Sequence, residues 1–401
     1  MPGPGAYLIG EEEKKELMDV IESGHFFRYG AENDPKFQKK VVQFEKEFAN
    51  YTETKYALAV SSGTGALMSC LAALNIGPDD EVIVPGYTFI ASISSIILSG
   101  AIPVLAEIDE SLTIDPDDIR RKITKRTKAI MPVHMLGNPC DMDRIMEIAR
   151  EFRLFVIEDC CQAAGAAYKW RKVGSIGHMG AFSLNNFKTI TSGDGGMVIT
   201  NDEFYYERAF GFHDQGHKPN RTGVEVGNRS IIGMNMRMNE LTGAVALAQT
   251  RKLDMILAAL REKKAKMKLE LQNTPGFQFR KINDPMECAT LLTLLFDSKE
   301  IADRFAERIG TKTLAHSGWH VYNNMEQLLA KKYEFNNGEV MEYRKHMLPK
   351  TDGILERAIN ISIGVVDSGL GAGYGINIHS SDQDIQAVAD NIKKTINEIL
   401  A

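Results

Sequence analysis

The chain has 401 residues, of which 44% are hydrophobic and 25% charged, and its formal net charge is −6. Such a chain is too long for one small core, so we expect a large domain and a smaller one. A mildly acidic surface argues against nucleic acid as a partner. No apolar run is long enough to cross a bilayer and no signal peptide is evident, so we expect a cytoplasmic protein without membrane contact.

The spacing of the cysteines is consistent with a cytoplasmic location. They form no CxxC pair and lack the spacing of metal ligands, so we expect reduced thiols and no metal site. They are Cys70, Cys140, Cys160, Cys161 and Cys288.

Strand-like and helix-like segments alternate through the first half of the chain. The predicted strands are Tyr56–Val60, Glu81–Pro85, Ile102–Ile108, Thr127–Val133, Leu154–Glu158, Gly180–Leu184 and Gly196–Thr200. The predicted helices between them are Gly65–Leu74, Ile90–Leu98 and Met142–Phe152. This alternation predicts an α/β fold, with a large three-layer domain built on a mainly parallel sheet covered by helices.

A long helix follows at Leu241–Leu269, and Pro275 lies beyond its end. We place the domain boundary within this helix, giving a large domain over residues 1–251 and a small α/β domain over residues 252–401. The basic run Arg261–Lys268 is expected to be a solvated side of the helix. The small domain is predicted to contain strands Leu291–Phe296 and Ala358–Ile363 and a terminal helix, Ser381–Leu400.

The segment Ser61–Leu67 (SSGTGAL) lies between a predicted strand and a predicted helix. Free backbone N–H groups at a helix N-terminus bind phosphate, and glycines let the backbone approach it closely. The same residue types also serve as ordinary helix caps. The segment alone therefore leaves both interpretations open.

A hydrophobic strand ends directly at Asp159. The carboxyl ends of parallel strands line the ligand crevice, where an aspartate can pair with a protonated ring nitrogen. Capping of the next helix is an equally good explanation of Asp159. Gln162, three residues later, can share its helical face.

Lys188 follows an apolar strand and precedes a glycine-rich turn, Gly193–Gly196. A lysine amine in such a setting can act as a nucleophile toward an aldehyde. A surface lysine in a loop is the alternative. The order of phosphate loop, strand-end aspartate and lysine favours the nucleophile.

Five segments, taken in order, resemble the DegT/DnrJ/EryC1/StrS family of sugar aminotransferases, which are fold-type I pyridoxal-phosphate (PLP) enzymes. The matching segments are Ser61–Leu67, Pro85–Ala91, Ile157–Ala163, Phe182–Met197 and Gly233–Glu240.

The resemblance implies a role for each matching residue. Lys188 would hold the cofactor as a Schiff base and move protons, and Asp159 would pair with the pyridine nitrogen. Phe89 would stack on the ring, and Gln162 would contact its phenolic oxygen. Gly63, Thr64 and Ser183 would bind the cofactor's phosphate. Asn235 would reach the phosphate bound in the neighbouring subunit of a homodimer.

The resemblance also implies a reaction. Relatives with histidine at the position of Lys188 perform dehydration, so the lysine favours transfer of an amino group from an amino acid, expected to be glutamate, to a keto or aldehydo sugar. The small-domain segment Met286–Leu292 lacks the family's histidines. This departure argues against the usual nucleotide-sugar pocket. Another departure, Phe210–His217 followed by the polar stretch Lys218–Arg229, resembles, together with Phe26–Tyr29 and Met131–Met135, the subgroup that aminates 8-oxo-3,8-dideoxy-octulosonate. Nucleotide-sugar amination, another PLP reaction and a non-catalytic PLP-binding regulator remain alternatives.

Some polar and aromatic residues have two interpretations each. His134 could face the site, although a hydrogen-bonded core position fits slightly better. Four cations could bind a carboxylate but are individually better explained as salt-bridging residues: Arg28, Lys218, Arg221 and Arg229. Three small-domain residues could line a sugar pocket or pack in the core: Trp319, His320 and Tyr322.

Overall fold

The computed structural model describes residues 2–31, 33–219, 227, 229–334, 338 and 340–401. Within these ranges, none of the helices combines the length and apolar character that a bilayer crossing requires. The carboxylate candidate Arg221 lies outside the described residues.

The strands of the described residues form one large sheet and three smaller ones. The large sheet has the order β1-β9-β8-β5-β4-β2-β3, and all its neighbouring pairs are parallel except the two made by β9. In chain order the strands are β1 (Tyr56–Val60), β2 (Glu81–Pro85), β3 (Ile102–Ala106), β4 (Thr127–Ile130), β5 (Phe155–Asp159), β6 (Ala167–Tyr168), β7 (Arg171–Lys172), β8 (Met179–Ser183), β9 (Gly196–Thr200), β10 (Phe277–Phe279), β11 (Leu291–Phe296), β12 (Lys332–Glu334), β13 (Val340–Glu342) and β14 (Ala358–Ser362).

Helices cover both faces of the large sheet and pack on the C-terminal sheet. They are α1 (Pro4–Tyr7), α2 (Glu11–Ser23), α3 (Lys40–Thr52), α4 (Gly63–Ala73), α5 (Ile90–Leu98), α6 (Pro116–Lys122), α7 (Met142–Phe152), α8 (Glu203–His213), α9 (Glu240–Leu271), α10 (Lys299–Ile309), α11 (Glu326–Leu329), α12 (Pro349–Leu355) and α13 (Asp382–Leu400).

Side-chain alternation along β1 shows why the sheet is buried on both sides. Ala57 and Ala59 join the cluster that packs against α3 and α9, while Leu58 and Val60 join the cluster on the side of α4. Successive residues of a strand point to opposite faces, so a continuous apolar strand needs cover on each face. The predicted α/β fold with a mainly parallel, three-layer large domain is confirmed.

Several strand ends differ from the prediction; for example, the strand predicted to reach Ile108 ends at Ala106. Two of the differences have a backbone reason. The strand predicted to run to Val133 ends at Ile130, close to Pro132, which has no N–H group to donate to a ladder. The Pro132 carbonyl instead accepts from the N–H of Asp159 at 2.9 Å. This bond extends β5 by one residue beyond the predicted end and holds Asp159 at the sheet's edge.

The C-terminal part contains a three-stranded antiparallel sheet, β10-β11-β14, which packs against α10. Apolar residues of α13 belong to the same hydrophobic cluster. The expected small α/β unit is therefore present. Helix α9 runs without interruption through residues 251 and 252, so the proposed division between 1–251 and 252–401 remains a prediction.

The two parts meet where β2 ends. The Thr88 N–H donates to the His320 carbonyl at 2.9 Å, and Tyr87 pairs with Val321 in an isolated antiparallel bridge. Segment 318–322 is thereby fixed against the carboxyl edge of the large sheet, the edge at which α/β folds bind ligands.

Candidate active site

A cavity of about 610 Å³ opens at this edge, between the large sheet and segments 318–320 and 365–370. It brings together residues that are far apart in the sequence. The predicted site residues that line it are Gly63, Thr64, Phe89, Asp159, Gln162, Ser183 and Lys188.

The N-terminus of α4 forms one end of the cavity. Ser62 caps the helix, its Oγ accepting from the Gly65 N–H at 3.0 Å. A Cβ atom on Gly63 would lie only 2.6 Å from Ser183 Cβ, so glycine is required for β8 to approach the helix. Segment 61–67 thus contains an ordinary cap. It also presents Gly63 and Thr64 at a positive helix end, and the Ser183 hydroxyl of β8 lies close to that end.

Asp159 also lines the cavity and is almost fully buried. Its Oδ2 accepts from the Ser92 hydroxyl at 2.7 Å, and its Oδ1 accepts from the Cys161 N–H at 3.0 Å. Both carboxylate oxygens are therefore oriented before any ligand binds. Sequence reasoning missed Ser92, although a buried serine within the apolar helix α5 was the signal that could have found it.

The orientation of Gln162 is set by the backbone. Its Oε1 accepts from the Leu136 N–H at 3.0 Å, which leaves the amide NH₂ as a donor at the cavity wall. Leu136 adopts a left-handed conformation with φ +56°. The Leu136 carbonyl in turn accepts from Arg280 Nη2 at 3.1 Å, so Arg280 supports this wall from behind.

Arg280 belongs to a buried ion cluster that the sequence did not reveal. Glu287 lies between Lys264 Nζ at 2.5 Å and Arg280 Nη2 at 3.3 Å, and all three side chains are nearly inaccessible. Burial lowers the pKa of Lys264 to about 8. The prediction that the basic run of α9 is solvated is therefore wrong at Lys264, which faces the junction between the two parts of the chain.

Lys188 lies half-buried in the loop between β8 and β9, with its backbone N–H donating to the Asn185 carbonyl at 2.9 Å. Within the described part of the chain, its amine has neither a hydrogen-bond acceptor nor an ion-pair partner, and it lines the cavity. The N-terminal segment braces this loop, because the Gly3 N–H donates to the Asn186 carbonyl at 2.8 Å. The arrangement leaves the amine available to react while its backbone is held.

The rings of Phe89 and His320 are in contact on the cavity wall. Their ring centroids are 5.2 Å apart and the planes are inclined by 49°. Burial, with the nearby Lys188 charge, lowers the pKa of His320 to about 4, so its imidazole is neutral at neutral pH. Phe89 thus offers an aromatic face on the wall that a flat heterocycle would contact.

The charges of the cavity wall are unbalanced. Among the described lining residues, Asp159, Asp194 and Asp367 are acidic and Lys188 is the one basic side chain. An amino-acid donor brings a carboxylate that needs a cationic partner. That partner must come from outside the described lining of one chain.

His134 occupies the core and does not line the cavity, so the core interpretation is correct. It lies with Glu158 and Cys160 in a cluster whose ligand atoms are within 4.8 Å of one another. The atoms that could ligate a metal are already hydrogen-bonded: Glu158 accepts from three backbone N–H groups and from His134 Nε2, and His134 Nδ1 accepts from the Cys140 N–H. The cluster therefore braces the strand that carries Asp159.

The three candidate carboxylate-binding cations that the structure describes do not meet at the cavity. Arg28 is buried and pairs with Glu45 at 2.8 Å, while Lys218 pairs with Glu207 at 3.2 Å. Arg229 Nη1 donates to the Gly227 carbonyl at 2.9 Å.

Asn235 does not line the cavity of its own chain. It is exposed and pairs through its backbone with Asp214. In the small domain, Trp319 and His320 line the cavity. Tyr322 is fully buried and donates to Asp352 at 3.2 Å, as core packing predicts.

Known proteins are similar to this chain in sequence and in fold. The family model for DegT/DnrJ/EryC1/StrS aminotransferases matches residues 8–365. GDP-perosamine synthase of Vibrio cholerae is 37% identical over 291 residues, which are 72% of this chain and 75% of that protein. GDP-perosamine synthase of Escherichia coli O157:H7 is 44% identical over 223 residues, but these are only 55% of this chain and 60% of that protein. The crystal structure of 3-amino-5-hydroxybenzoic acid synthase has 26% identity and a TM-score of 0.81, with 97% of each chain covered. The chain is an aminotransferase of the DegT/DnrJ/EryC1/StrS family, whose members depend on PLP.

Proposed function

We propose that this chain binds PLP in the cavity and transfers an amino group from an amino acid, with glutamate as the expected donor, to a keto or aldehydo sugar. The observation that supports this most strongly is that the Lys188 amine and the Asp159 carboxylate share one cavity with the N-terminus of α4 and the ring of Phe89. These are the groups that the aldehyde, ring nitrogen, phosphate and ring face of PLP require.

The residues fit the cofactor in polarity as well as in position. Gly63, Thr64 and Ser183 would hold the phosphate at the positive end of α4, where a bulkier residue than glycine would meet β8. Asp159, with both oxygens oriented, would stabilise a protonated ring nitrogen. Gln162 would donate to the phenolic oxygen. When bound, PLP supplies an aldehyde for amines and a ring that withdraws electrons.

Lys188 would then have two tasks. Its Nζ atom would hold the aldehyde end of PLP. As a free amine, the same Nζ would be the basic group on the described wall that can hold and move a proton. The absence of a competing ion pair within the described residues keeps that amine available for both.

We also propose that the active unit is a homodimer. The described lining of one chain has a single basic side chain, whereas a donor carboxylate and a cofactor phosphate both need positive or N–H partners. Asn235 is exposed and lies outside its own chain's cavity, a position suited to reaching the phosphate in the other subunit. A C₂ dimer would use the segment around Asn235 twice, once for each site.

Two acceptor classes deserve comparison. The GDP-perosamine synthases related to this chain favour a nucleotide-linked keto sugar. The segments around Phe26, Met131 and Phe210, together with the histidine-free Met286–Leu292 segment, favour 8-oxo-3,8-dideoxy-octulosonate. Both acceptors receive nitrogen by the same chemistry, so one assay can test both.

The test uses purified protein loaded with PLP. We expect L-glutamate alone to remove the visible absorbance of lysine-bound PLP with formation of one equivalent of 2-oxoglutarate, and we expect mass spectrometry to detect amine gain in one of the two acceptors. Lys188→Ala should abolish both results, whereas Lys169→Ala, which changes an exposed lysine, should abolish neither. Binding of PLP without conversion by any amino acid would instead support a non-catalytic regulator.

A further inference from the structure

The mouth of the cavity presents an exposed tryptophan. The Trp319 side chain is 66% exposed although it lines the cavity. Its neighbour His320 is fixed by the Thr88 N–H, so the segment that carries the indole is rigid. A large aromatic face left open at a rigid cavity mouth contributes little to core packing, but it is well suited to binding a ligand.

An acid stands beside this indole. Asp367 lines the same cavity on a loop that packs against segment 318–320. Its Oδ1 accepts from the Gly369 N–H at 2.7 Å, which fixes the carboxylate and leaves Oδ2 open. The loop is itself anchored, since the Leu370 carbonyl accepts from Asn360 Nδ2 at 2.9 Å. No lysine or arginine of the described residues pairs with Asp367.

The third group is the imidazole of His320, which is 9% exposed. Its Nδ1 is fully buried, and the imidazole contacts the backbone of Ser317 and Gly369. The ring also lines the cavity, where a neutral imidazole can offer a donor or an acceptor to a ligand hydroxyl.

We infer that Trp319, His320 and Asp367 form the acceptor subsite, which binds the carbohydrate part of the substrate. This inference rests on the proposed function. A sugar offers apolar C–H groups for the indole, hydroxyl donors for the carboxylate, and hydroxyls that can donate to or accept from the imidazole. The amino-acid donor fits poorly, because the Asp367 carboxylate would repel its carboxylates. This acceptor subsite can bind a free sugar acid or a nucleotide-linked sugar, since it contacts only the hydroxylated carbons that both share.

The sequence provides a direct reporter, because Trp170 and Trp319 are its two tryptophans. Trp170→Phe removes a surface side chain that is 84% exposed and leaves Trp319 as the single indole. This variant would be charged with pyridoxamine phosphate, so that neither amino sugars nor glutamate can react. Its emission would then be titrated with GDP-perosamine, 8-amino-3,8-dideoxy-octulosonate, GDP and L-glutamate.

We expect one of the two amino sugars to change the Trp319 emission saturably, and the sugar that responds identifies the acceptor class. GDP and glutamate should leave the emission unchanged. Asp367→Ala should weaken binding of the responding sugar about tenfold, the usual effect of losing a charge-assisted hydrogen bond. Asp367→Asn keeps an acceptor for the Gly369 N–H, and it should weaken binding less.

Three outcomes would overturn the inference: an equal response to GDP or glutamate, no response to either amino sugar, or unchanged affinity in Asp367→Ala. The glutamate reaction of the PLP-loaded variants provides the separate readout. Trp170→Phe should convert PLP with glutamate at a rate within about twofold of wild type, because Trp170 lies on the surface and does not line the cavity. If wild-type protein did not convert PLP with glutamate, the proposed function would be contradicted. The Trp319 emission would still report separately whether the sugar binds.

Discussion

Gly63→Ala tests the phosphate end of the cavity most sharply, because the structure fixes what the added methyl group meets. The new Cβ would lie 2.6 Å from Ser183 Cβ and 3.1 Å from both Ser183 Oγ and Cys161 Sγ. Ordinary contacts begin at 3.4 Å, so β8 and α4 must separate by up to about 0.8 Å. Overpacking of this kind costs about 1–3 kcal/mol of unfolding free energy.

The same displacement moves the Ser183 hydroxyl away from the N-terminus of α4. Loss of one hydrogen bond to a charged phosphate is worth about 1.5–3 kcal/mol, so we expect PLP to bind at least about tenfold more weakly. The affinity would be measured by titrating apo-protein with PLP and recording visible absorbance. Urea unfolding of the same apo-protein would give the stability change.

Gly353→Ala is the matched control, since a Cβ at this exposed position in α12 would have no atom within 4 Å. Alanine favours helix, so this variant should be as stable as wild type or more so. Its PLP affinity should be unchanged. If Gly63→Ala bound PLP as tightly as Gly353→Ala does, the assignment of the phosphate to this end would be wrong.

The remaining predictions concern charges. Glu287→Gln leaves two buried cations without a carboxylate and should lower the unfolding free energy by about 3 kcal/mol. The control Glu398→Gln, in an exposed ion pair, should change it by less than about 1 kcal/mol. Equal effects of the two substitutions in urea unfolding would contradict a stabilising role for the buried ion cluster. Asp159→Asn should retain PLP but slow its conversion by glutamate at least about 100-fold, as stopped-flow absorbance would show, because a neutral amide cannot stabilise the protonated ring nitrogen. His320 has a folded pKa of about 4 against 6.5 unfolded, so the unfolded state binds a proton first as the pH falls. In urea unfolding, wild-type apo-protein should therefore lose about 2–3 kcal/mol more stability between pH 7 and pH 4.5 than His320→Gln. Equal losses in the two proteins would refute the lowered pKa of His320.

The sequence predicted those parts of the site that depend on local order. Strand and helix periodicity placed Asp159 at a strand end and segment 61–67 at a helix start, and parallel strands bring such positions to one edge. The position of Lys188 directly after β8 predicted that it lies close to the same edge of the sheet. The shared cavity of these residues is consistent with the predicted roles, which await experimental test.

The supports behind the site were not predictable in the same way. Ser92 was missed, because a serine in an apolar helix does not by itself indicate that its hydroxyl reaches Asp159. Lys264 lies in a basic run that is usually solvated, and it becomes buried only because Glu287 and Arg280 meet it from distant segments. Such pairings depend on tertiary packing, which overrides local charge patterns.

The cavity mouth shows the same limit. Trp319 and Tyr322 are three residues apart in one aromatic segment, yet one is 66% exposed and the other is fully buried. The difference arises because Tyr322 packs beneath the bridge between Tyr87 and Val321. Aromatic composition alone could not separate the ligand-facing ring from the core ring.

The most direct test of the central claim is to locate the covalently bound cofactor. PLP-loaded protein would be reduced with borohydride, digested and analysed by mass spectrometry. The structure predicts a phosphopyridoxyl group on Lys188, and its loss after prior treatment with glutamate. Modification of a different lysine, or of none, would contradict the claim that Lys188 and Asp159 act together on one cofactor.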